Sequence, residues 1–350
     1  MAIFGVLKPN KVLTDVEEIF IQVAQNRNHQ AYVFTAKDVC FTSQTILGKT
    51  IEHGKIIEKT FSFPDVIQNR LAVKAEDKEV YLKLAEIIPF TSNRIGTKKQ
   101  VEAKLSTIAE LQEFLIEVQE CNVEIDILNS IEKYNKIILK PNSSNQGKGI
   151  YTVEKTADQY HVKFLDEAFF YTQEELSTFL STKILNKSYT LSPYFKSFTN
   201  NGLNTVFRLQ INRGTKGQWQ LIKFFPYINI NTDIDITNGM QGALITTREK
   251  LFLEQFYTQH AEEILKKVNY LFKVFPLAFQ KKYAWRLDSL GLDLGIDQAG
   301  NIAIFEVNAG PGIGFMAYPV AKAQVDYYEW LKDNAVKPFK NNFLPLNLRS

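Results

Sequence analysis

The sequence predicts an α/β (α+β) chain of two or three lobes, and three observations carry that prediction. A strand, helix, strand pattern opens the chain, strand patterns crowd together from Tyr189 onward, and 350 residues are too many for one small core. The opening unit is read from apolar runs at Ala2 to Leu7 and Ala31 to Thr35, with apolar positions at helical spacing between Val16 and Val23. Phe63 to Arg70 reads as a connection because Pro64 limits regular structure, and Tyr81 to Ile88 reads as a further helix. Thr97 to Val118 reads as one helix charged on one side.

Ile137 to Lys140 is a short apolar strand ending in a lysine. The small-residue loop Pro141-Asn-Ser-Ser-Asn-Gln-Gly-Lys-Gly149 follows, and Ile150 to Val153 reads as a second strand. Such a loop leaves backbone N–H groups free to turn towards an anion, and Lys148 adds a mobile positive charge. It is a phosphate-cradle candidate, although loops of this composition also form ordinary hairpin tips. No Ser or Thr follows Lys148 and no helical pattern follows the loop, so it is neither a Walker loop nor a dinucleotide fingerprint.

Tyr189 to Phe195, Thr205 to Asn212 and Gln218 to Ile228 alternate in strand fashion, with turns at Asn200 to Gly202 and Arg213 to Gly217. Arg208 sits mid-strand between Phe207 and Leu209, which leaves it either solvated or reaching into a site. Leu251 to Phe272 reads as one amphipathic helix whose apolar stripe, from Leu253 to Phe272, belongs to the core.

The most informative segment is Gly291 to Asn308, two apolar strand patterns around Gln298 to Asn301. A hairpin about that turn sets Asp293 opposite Glu306, and alternation puts Asn308 on the Glu306 face. Carboxylates held that close resist burial unless a cation neutralises them, and hard oxygen donors suit Mg²⁺ or Mn²⁺. The alternative, that both carboxylates face water on an exposed sheet, stays open from these residues alone. Ala309-Gly-Pro-Gly312 then bends away, letting backbone or ligand approach closely.

Composition narrows the function classes. The 41 basic and 38 acidic residues are spread without a long like-charge block, so the formal charge of +3 argues for neither nucleic acid nor an anionic membrane. The N-terminal apolar run is too short for a signal peptide and no stretch approaches a membrane span, so a cytoplasmic chain is expected. Cys40 and Cys121 lack metal-type spacing and read as buried, inert thiols in a reducing compartment. The four histidines lie far apart and read as structural or solvated.

Together these motifs supply cations and N–H donors for phosphates and oxygen ligands for a divalent ion, the set a nucleoside triphosphate needs. In their order along the chain they resemble the ATP-grasp superfamily, and more closely its YheC/YheD-like, endospore coat-associated group. Phe63-Pro-Asp-Val-Ile-Gln-Asn-Arg70 is similar to that group's Pro-Asp-Val-x-x-Asn-Arg segment. Leu139-Lys-Pro141 with Gln146 to Ile150 is similar to its nucleotide loop, and Asp293 to Asp297 through Ile304 to Asn308 to its metal hairpin.

The resemblance implies a pre-ATP-grasp α/β domain at 1–92, a first ATP-grasp lobe at 93–187 carrying the Gly-Lys-Gly loop, and a second lobe at 188–350 carrying the metal hairpin. Carried over by position, Lys140, Gly147, Lys148 and Gly149 hold ATP phosphates, with Lys98 or Lys99 adding a contact. The hinge Leu191 to Phe195, with Tyr194, borders adenine. Asp293, Glu306 and Asn308 bind Mg²⁺ or Mn²⁺, and Arg208 faces the γ-phosphate or an acyl phosphate. Two positions depart from the group: Ser192 stands where a longer polar side chain is usual, and Val206 where an aspartate is common.

The implied activity is an ADP-forming carboxylate–amine ligase acting on an amino acid, peptide or protein carboxylate, with ATP as cosubstrate. Spore coat proteins are implied partners, and association with the spore an implied location. A non-catalytic ATP-binding coat protein and an ATP-grasp kinase are the competing readings.

Overall fold

The computed structural model describes residues 1–70, 75–142, 149–164, 167–231, 235–237, 243–337 and 339. Three sheets organise these residues. The first contains β1 (Ile3–Leu7), β2 (Gln30–Phe34), β3 (Val39–Cys40), β4 (Thr45–Glu52), β5 (Lys55–Ser62), β6 (Val66–Asn69) and β7 (Phe90–Thr91). Its order is β3-β4-β2-β1-β6-β7 with β5 paired to β4, and the β2-β1-β6-β7 part is parallel. Helices α1 (Asp15–Gln25) and α2 (Lys78–Ile87) pack on it.

α1 begins where a capping box permits. Glu17 accepts from the Thr14 N–H at 2.9 Å and from the Thr14 hydroxyl at 2.6 Å, and Asp15 and Glu18 add negative charge where the helix dipole favours it.

The segment 63–70 is not only a connection. Pro64 stands ahead of the strand, and Val66–Asn69 pairs in parallel with β1, so a proline that cannot donate does no harm at a strand's entry. The hairpin of β4 and β5, turning at His53 and Gly54 with both φ positive, extends the sheet beyond the sequence expectation.

After α3 (Lys98–Leu105) the predicted long helix does not continue. Ser106 and Thr107 hydroxyls bond back to the carbonyls of Ala103 and Lys104, and Ala109–Phe114 forms a 3₁₀ segment instead. The second sheet has the order β12-β11-β10-β9-β13-β8. It consists of β8 (Gln119–Glu120), β9 (Lys136–Pro141), β10 (Tyr151–Lys155), β11 (Tyr160–Phe164), β12 (Glu167–Tyr171) and β13 (Tyr189–Pro193), backed by α4 (Glu124–Tyr134) and α5 (Gln173–Phe179).

The third sheet runs β16-β15-β14-β17-β18, all antiparallel: β14 (Asn204–Arg213), β15 (Trp219–Asn229), β16 (Leu244–Ile245), β17 (Ser289–Ile296) and β18 (Ile302–Ala309). One face buries Phe207, Leu209 and Ile211 against α6 (Glu249–Phe256) and α7 (Ala261–Gln280). These are two helices where the apolar stripe predicts one. Tyr257 is fully buried, and its hydroxyl bonds Thr205 at 3.0 Å and the Ile296 carbonyl at 3.3 Å; with Thr258 at φ +41°, that anchoring breaks the helix.

α8 (Ala317–Asn334) returns to the first sheet, where Ala321, Val325 and Tyr328 join Phe4, Val6 and Phe20 in one core. His29 is fixed there, accepting from the Ala2 N–H at 3.0 Å and meeting Glu329 at 2.5 Å. Of the two thiols expected to be buried, only Cys121 is; burial pushes it up to about 12. Cys40 is exposed, because β3 lies at the sheet's edge, and hydrogen bonds from Ser43 lower its pKa. Among the described residues no helix is long and apolar enough to cross a membrane.

Candidate active site

The hairpin of β17 and β18 sets Asp293 opposite Glu306, as expected, but by another route. Ile296 pairs with Ile302, so the turn takes five residues, Asp297 to Asn301, and is one longer than expected. The Asp297 carboxylate ties it, accepting from the backbone of Ala299 at 2.9 Å and Asn301 at 2.8 Å. Between the Leu294–Ile304 and Asp293–Glu306 pairs a bulge inserts Phe305 and restores the facing of the two carboxylates. Gly295 makes this bulge feasible, since a Cβ there would lie 2.2 Å from the Phe305 ring.

Arg208 is the cross-strand partner of Asp293 and grips it with two bonds, Nε to Oδ1 at 2.6 Å and an Nη to Oδ2 at 3.2 Å. Burial works against the Arg208 charge, but Asp293 more than offsets it and the net pKa shift is upward. The side chain therefore points into the site and is not a wet-face arginine. Asn308 donates its amide to Asp293 Oδ2 at 3.2 Å. Gly291, paired with Asn308, clears room: a Cβ there would lie 3.2 Å from Arg208 Cδ and 2.9 Å from Pro311. Two carboxylates and one amide on adjacent strands form an oxygen donor set that fits Mg²⁺.

Cations face this patch from the other sheet and from α3. Lys98 Nζ is 3.7 Å from Glu306, whereas Lys99 turns away and pairs with Glu120. Along β9, Ile137 and Leu139 enter the core, so Lys136, Ile138 and Lys140 share the opposite face. Lys140 Nζ lies 5.7 Å from the Phe305 ring centre. Burial, then the nearby Lys98 charge, lowers the Lys140 pKa, while Glu306 and Glu102 oppose that. Burial raises Glu102, against the pull of Lys140 and Lys98. Lys140, Lys98, Glu102 and Glu306 thus lie within electrostatic reach of one another.

Gly149 stands at φ +76°, its carbonyl accepts from the Tyr189 hydroxyl at 3.0 Å, and a Cβ would meet that hydroxyl at 3.1 Å. Gly147 and Lys148 lie outside the described residues. Tyr194 stacks under Lys136 Nζ, 4.5 Å from the ring centre, and its hydroxyl donates to the Asp235 carbonyl at 2.8 Å.

Asp235 is the site's main addition to the sequence reading. It follows β15 of the third sheet, yet its carboxylate rests on the second sheet, 2.6 Å from Lys136, 3.2 Å from Lys163 and 2.9 Å from the Thr152 hydroxyl. Burial alone would raise this carboxyl, but Lys136, Thr152 and Lys163 hold it below the ordinary aspartate range. Tyr227, close enough to sense both Arg208 and Asp293, was also missed. Of these residues only Lys136 had a signal in the sequence, the lysine spacing of Lys136-Ile-Ile-Leu-Lys140.

A family model described as YheC/D-like ATP-grasp matches residues 87–330. The endospore coat-associated protein YheD of Bacillus subtilis (strain 168) is 22% identical over 329 residues, spanning 87% of this chain and 71% of that protein. Among solved structures, a Chryseobacterium gregarium RiPP-associated ATP-grasp ligase, determined with ADP and a leader and core peptide, gives a TM-score of 0.55. Its identity is 11%, and the match covers 99% of this chain and 100% of that one. The N5-carboxyaminoimidazole synthetase of Staphylococcus aureus with ADP gives 0.53 at 12% identity, covering 93% and 77%. These likenesses show an ATP-grasp fold.

Proposed function

Because the chain belongs to the YheC/D-like ATP-grasp family, we propose that it is an ADP-forming ligase that joins a carboxylate to an amine, using ATP and Mg²⁺. The observation that carries this reading is the meeting of Asp293, Glu306, Asn308 and Arg208 on one sheet with Lys140 and Lys98 facing them. The organisation that accompanies it is a pre-ATP-grasp unit at 1–92 and two lobes at 93–187 and 188–350, with α8 of the last returning to the first.

Asp293, Glu306 and Asn308 are the residues to hold Mg²⁺, whose charge, when bound, supports the phosphate oxygens. Lys140 and Lys98 supply positive charge to the polyphosphate, with Gly149, Gly147 and Lys148 at its loop and Tyr194 beside the base. Arg208 stabilises the charge that gathers on the transferring phosphoryl group. A substrate carboxylate oxygen bonds to the γ-phosphorus as ADP leaves. The amine nitrogen then bonds to the acyl carbon, phosphate departs with the bonding pair, and the amine loses one proton. No covalent link to the protein is required.

The test is product analysis with MgATP and a panel of amino acids and peptides. ADP and phosphate in equal amounts, with a hydroxamate when hydroxylamine is added, support the ligase. AMP with pyrophosphate, or no turnover with any acceptor, counts against it.

A second reading, a nucleotide-holding protein of a spore coat without turnover, gains support from the Arg208–Asp293 clamp, which already neutralises one metal ligand. Tight MgATP binding without product, insensitive to Arg208→Ala, would favour it. A stable phosphoester product that resists hydroxylamine would instead favour a kinase.

A further inference from the structure

A cavity of about 230 Å³ opens between the first sheet and the bend that follows the carboxylate hairpin. Its place follows from topology: β1 pairs in parallel with β2 on one side and with β6 on the other, so the chain's path reverses between β1 and β6. Open parallel sheets bind ligands at the carboxyl ends of strands at such a reversal, because the strand-end loops part there. β6 ends in Gln68, Asn69 and then Arg70, and all three line the cavity.

The opposite wall is the Ala309–Pro311 bend, which leaves β18 directly after Asn308. Pro311 lies over Gly291 alongside Arg208, so the cavity abuts the clamp on Asp293. Ser92, also on the wall, is held at φ +60° with its N–H on the buried Asp288 carboxylate at 2.7 Å. A non-glycine residue in that conformation is strained, and such strain clusters at working sites.

The chemistry of the lining points to an anion. Among its described residues the charged side chains are Arg70 and Arg94, with no acid among them. Arg70 is oriented by one bond to Glu17 at 2.8 Å, and Glu17 is itself held by Lys8 at 2.8 Å. Arg94 stands on a pinned backbone: its carbonyl accepts from the Trp285 indole at 3.0 Å, and the neighbouring Asn93 amide bonds the Arg286 carbonyl at 2.8 Å. Guanidinium forks match planar carboxylates. The volume exceeds the roughly 150 Å³ that admits benzene and is below the roughly 300 Å³ at which drug-sized sites begin, so one amino acid suits it.

We propose that this cavity receives the amine substrate of the ligation as a free amino acid, entering so that Arg70 and Arg94 hold its carboxylate and its amino group lies towards Pro311 and Arg208. This rests on the ligase reading above. In the ligation the amino nitrogen bonds the acyl carbon, phosphate leaves with the bonding pair, and the proton shed by nitrogen goes to the phosphate.

The experiment is a calorimetric titration of the full chain, with and without Mg²⁺ and a non-hydrolysable ATP analogue, using the common amino acids, their amides and the corresponding decarboxylated amines. At least one amino acid should bind, its amide at least about tenfold more weakly, and Arg94→Ala should weaken the acid about ten- to a hundredfold, with Arg94→Lys intermediate. Arg94 is exposed, and the melting curve of each variant checks that the fold is kept. Arg70→Ala, checked by its melting curve, should have a similar effect.

Equal affinity for acid and decarboxylated amine, an Arg94→Ala variant that binds the acid as before, or no amino acid bound by a protein that binds nucleotide would each overturn the assignment. Loss of nucleotide binding alone would strike the ligase reading instead, and the nucleotide-free titration still decides the cavity.

Discussion

The second and third sheets meet with opposite charge, and each takes at least one counter-ion from another element. The second presents Lys136, Lys140 and Lys163 on one face, and Asp235, the partner of Lys136 and Lys163, arrives from the segment after β15 of the third sheet. The third presents Asp293 and Glu306, answered by Arg208 of its own β14 and by Lys98 of α3. On the proposed function the lysine face receives a polyanion, in rivalry with the carboxylate that ties it down, and the acid face, held in register by an arginine, receives a divalent cation. Charge that looks balanced overall is divided between two surfaces.

The comparison can be broken most directly at Glu306. Glu306→Gln keeps the shape, removes charge from the acid face and leaves the Arg208–Asp293 clamp intact. ADP release in a coupled assay should fall by about 10³-fold, with the melting temperature little changed. Asp293→Asn separates the two roles of that face, since it lowers turnover and also strands the largely buried Arg208 charge. Urea unfolding should show a loss of about 2 kcal/mol, less than a fully buried pair would cost because both side chains keep some exposure.

Arg208→Ala tests whether the cation is only structural; a phosphoryl-stabilising role predicts about 10²-fold lower turnover with nearly unchanged MgATP affinity. On the lysine face, Asp235→Asn should destabilise the protein by about 1–2 kcal/mol, and saturating MgATP should recover more stability in the variant than in the parent, read from paired denaturant curves.

A pH-dependent effect of similar size lies away from the lysine face, at Asp288, whose buried carboxyl accepts the Ser92 N–H. Burial pushes its pKa up to about 6, above an unfolded value near 3.9, so its contribution to stability is complete below about pH 4 and is lost as pH rises through about 6. Unfolding free energies between pH 4 and 7 should decline by up to about 2 kcal/mol from this group. Asp288→Asn should flatten that part of the curve.

The acid face was legible in the sequence because strand alternation and residue identity both constrain it. Even so, the expected pairing of Asp293 with Glu306 comes from two departures that cancel, a longer turn and the Phe305 bulge. Strand period alone does not report a bulge. The lysine face was half legible: Lys140 stood out at a strand end, but Asp235 sits in the alternation Ile234-Asp235-Ile236, which names no partner for it, and its partners are set by tertiary structure alone.

The helix break at Tyr257 escaped for a related reason, since apolar spacing runs straight through it while hydrogen bonds to Thr205 and Ile296 end the helix there. The His53-Gly54 turn between β4 and β5 did have a local signal, a glycine set between strand-forming runs.

α8 has a consequence for how the chain is made. β1 and β2 leave the ribosome about three hundred residues ahead of Val325 and Tyr328, with which they share their core. Until those late residues emerge, the side of β1 and α1 that will receive them stays open to water and to aggregation, and vectorial synthesis cannot seal it early. Translation stalled ahead of Ala317 should leave a nascent chain that holdase chaperones retain and proteases cut within its opening segment.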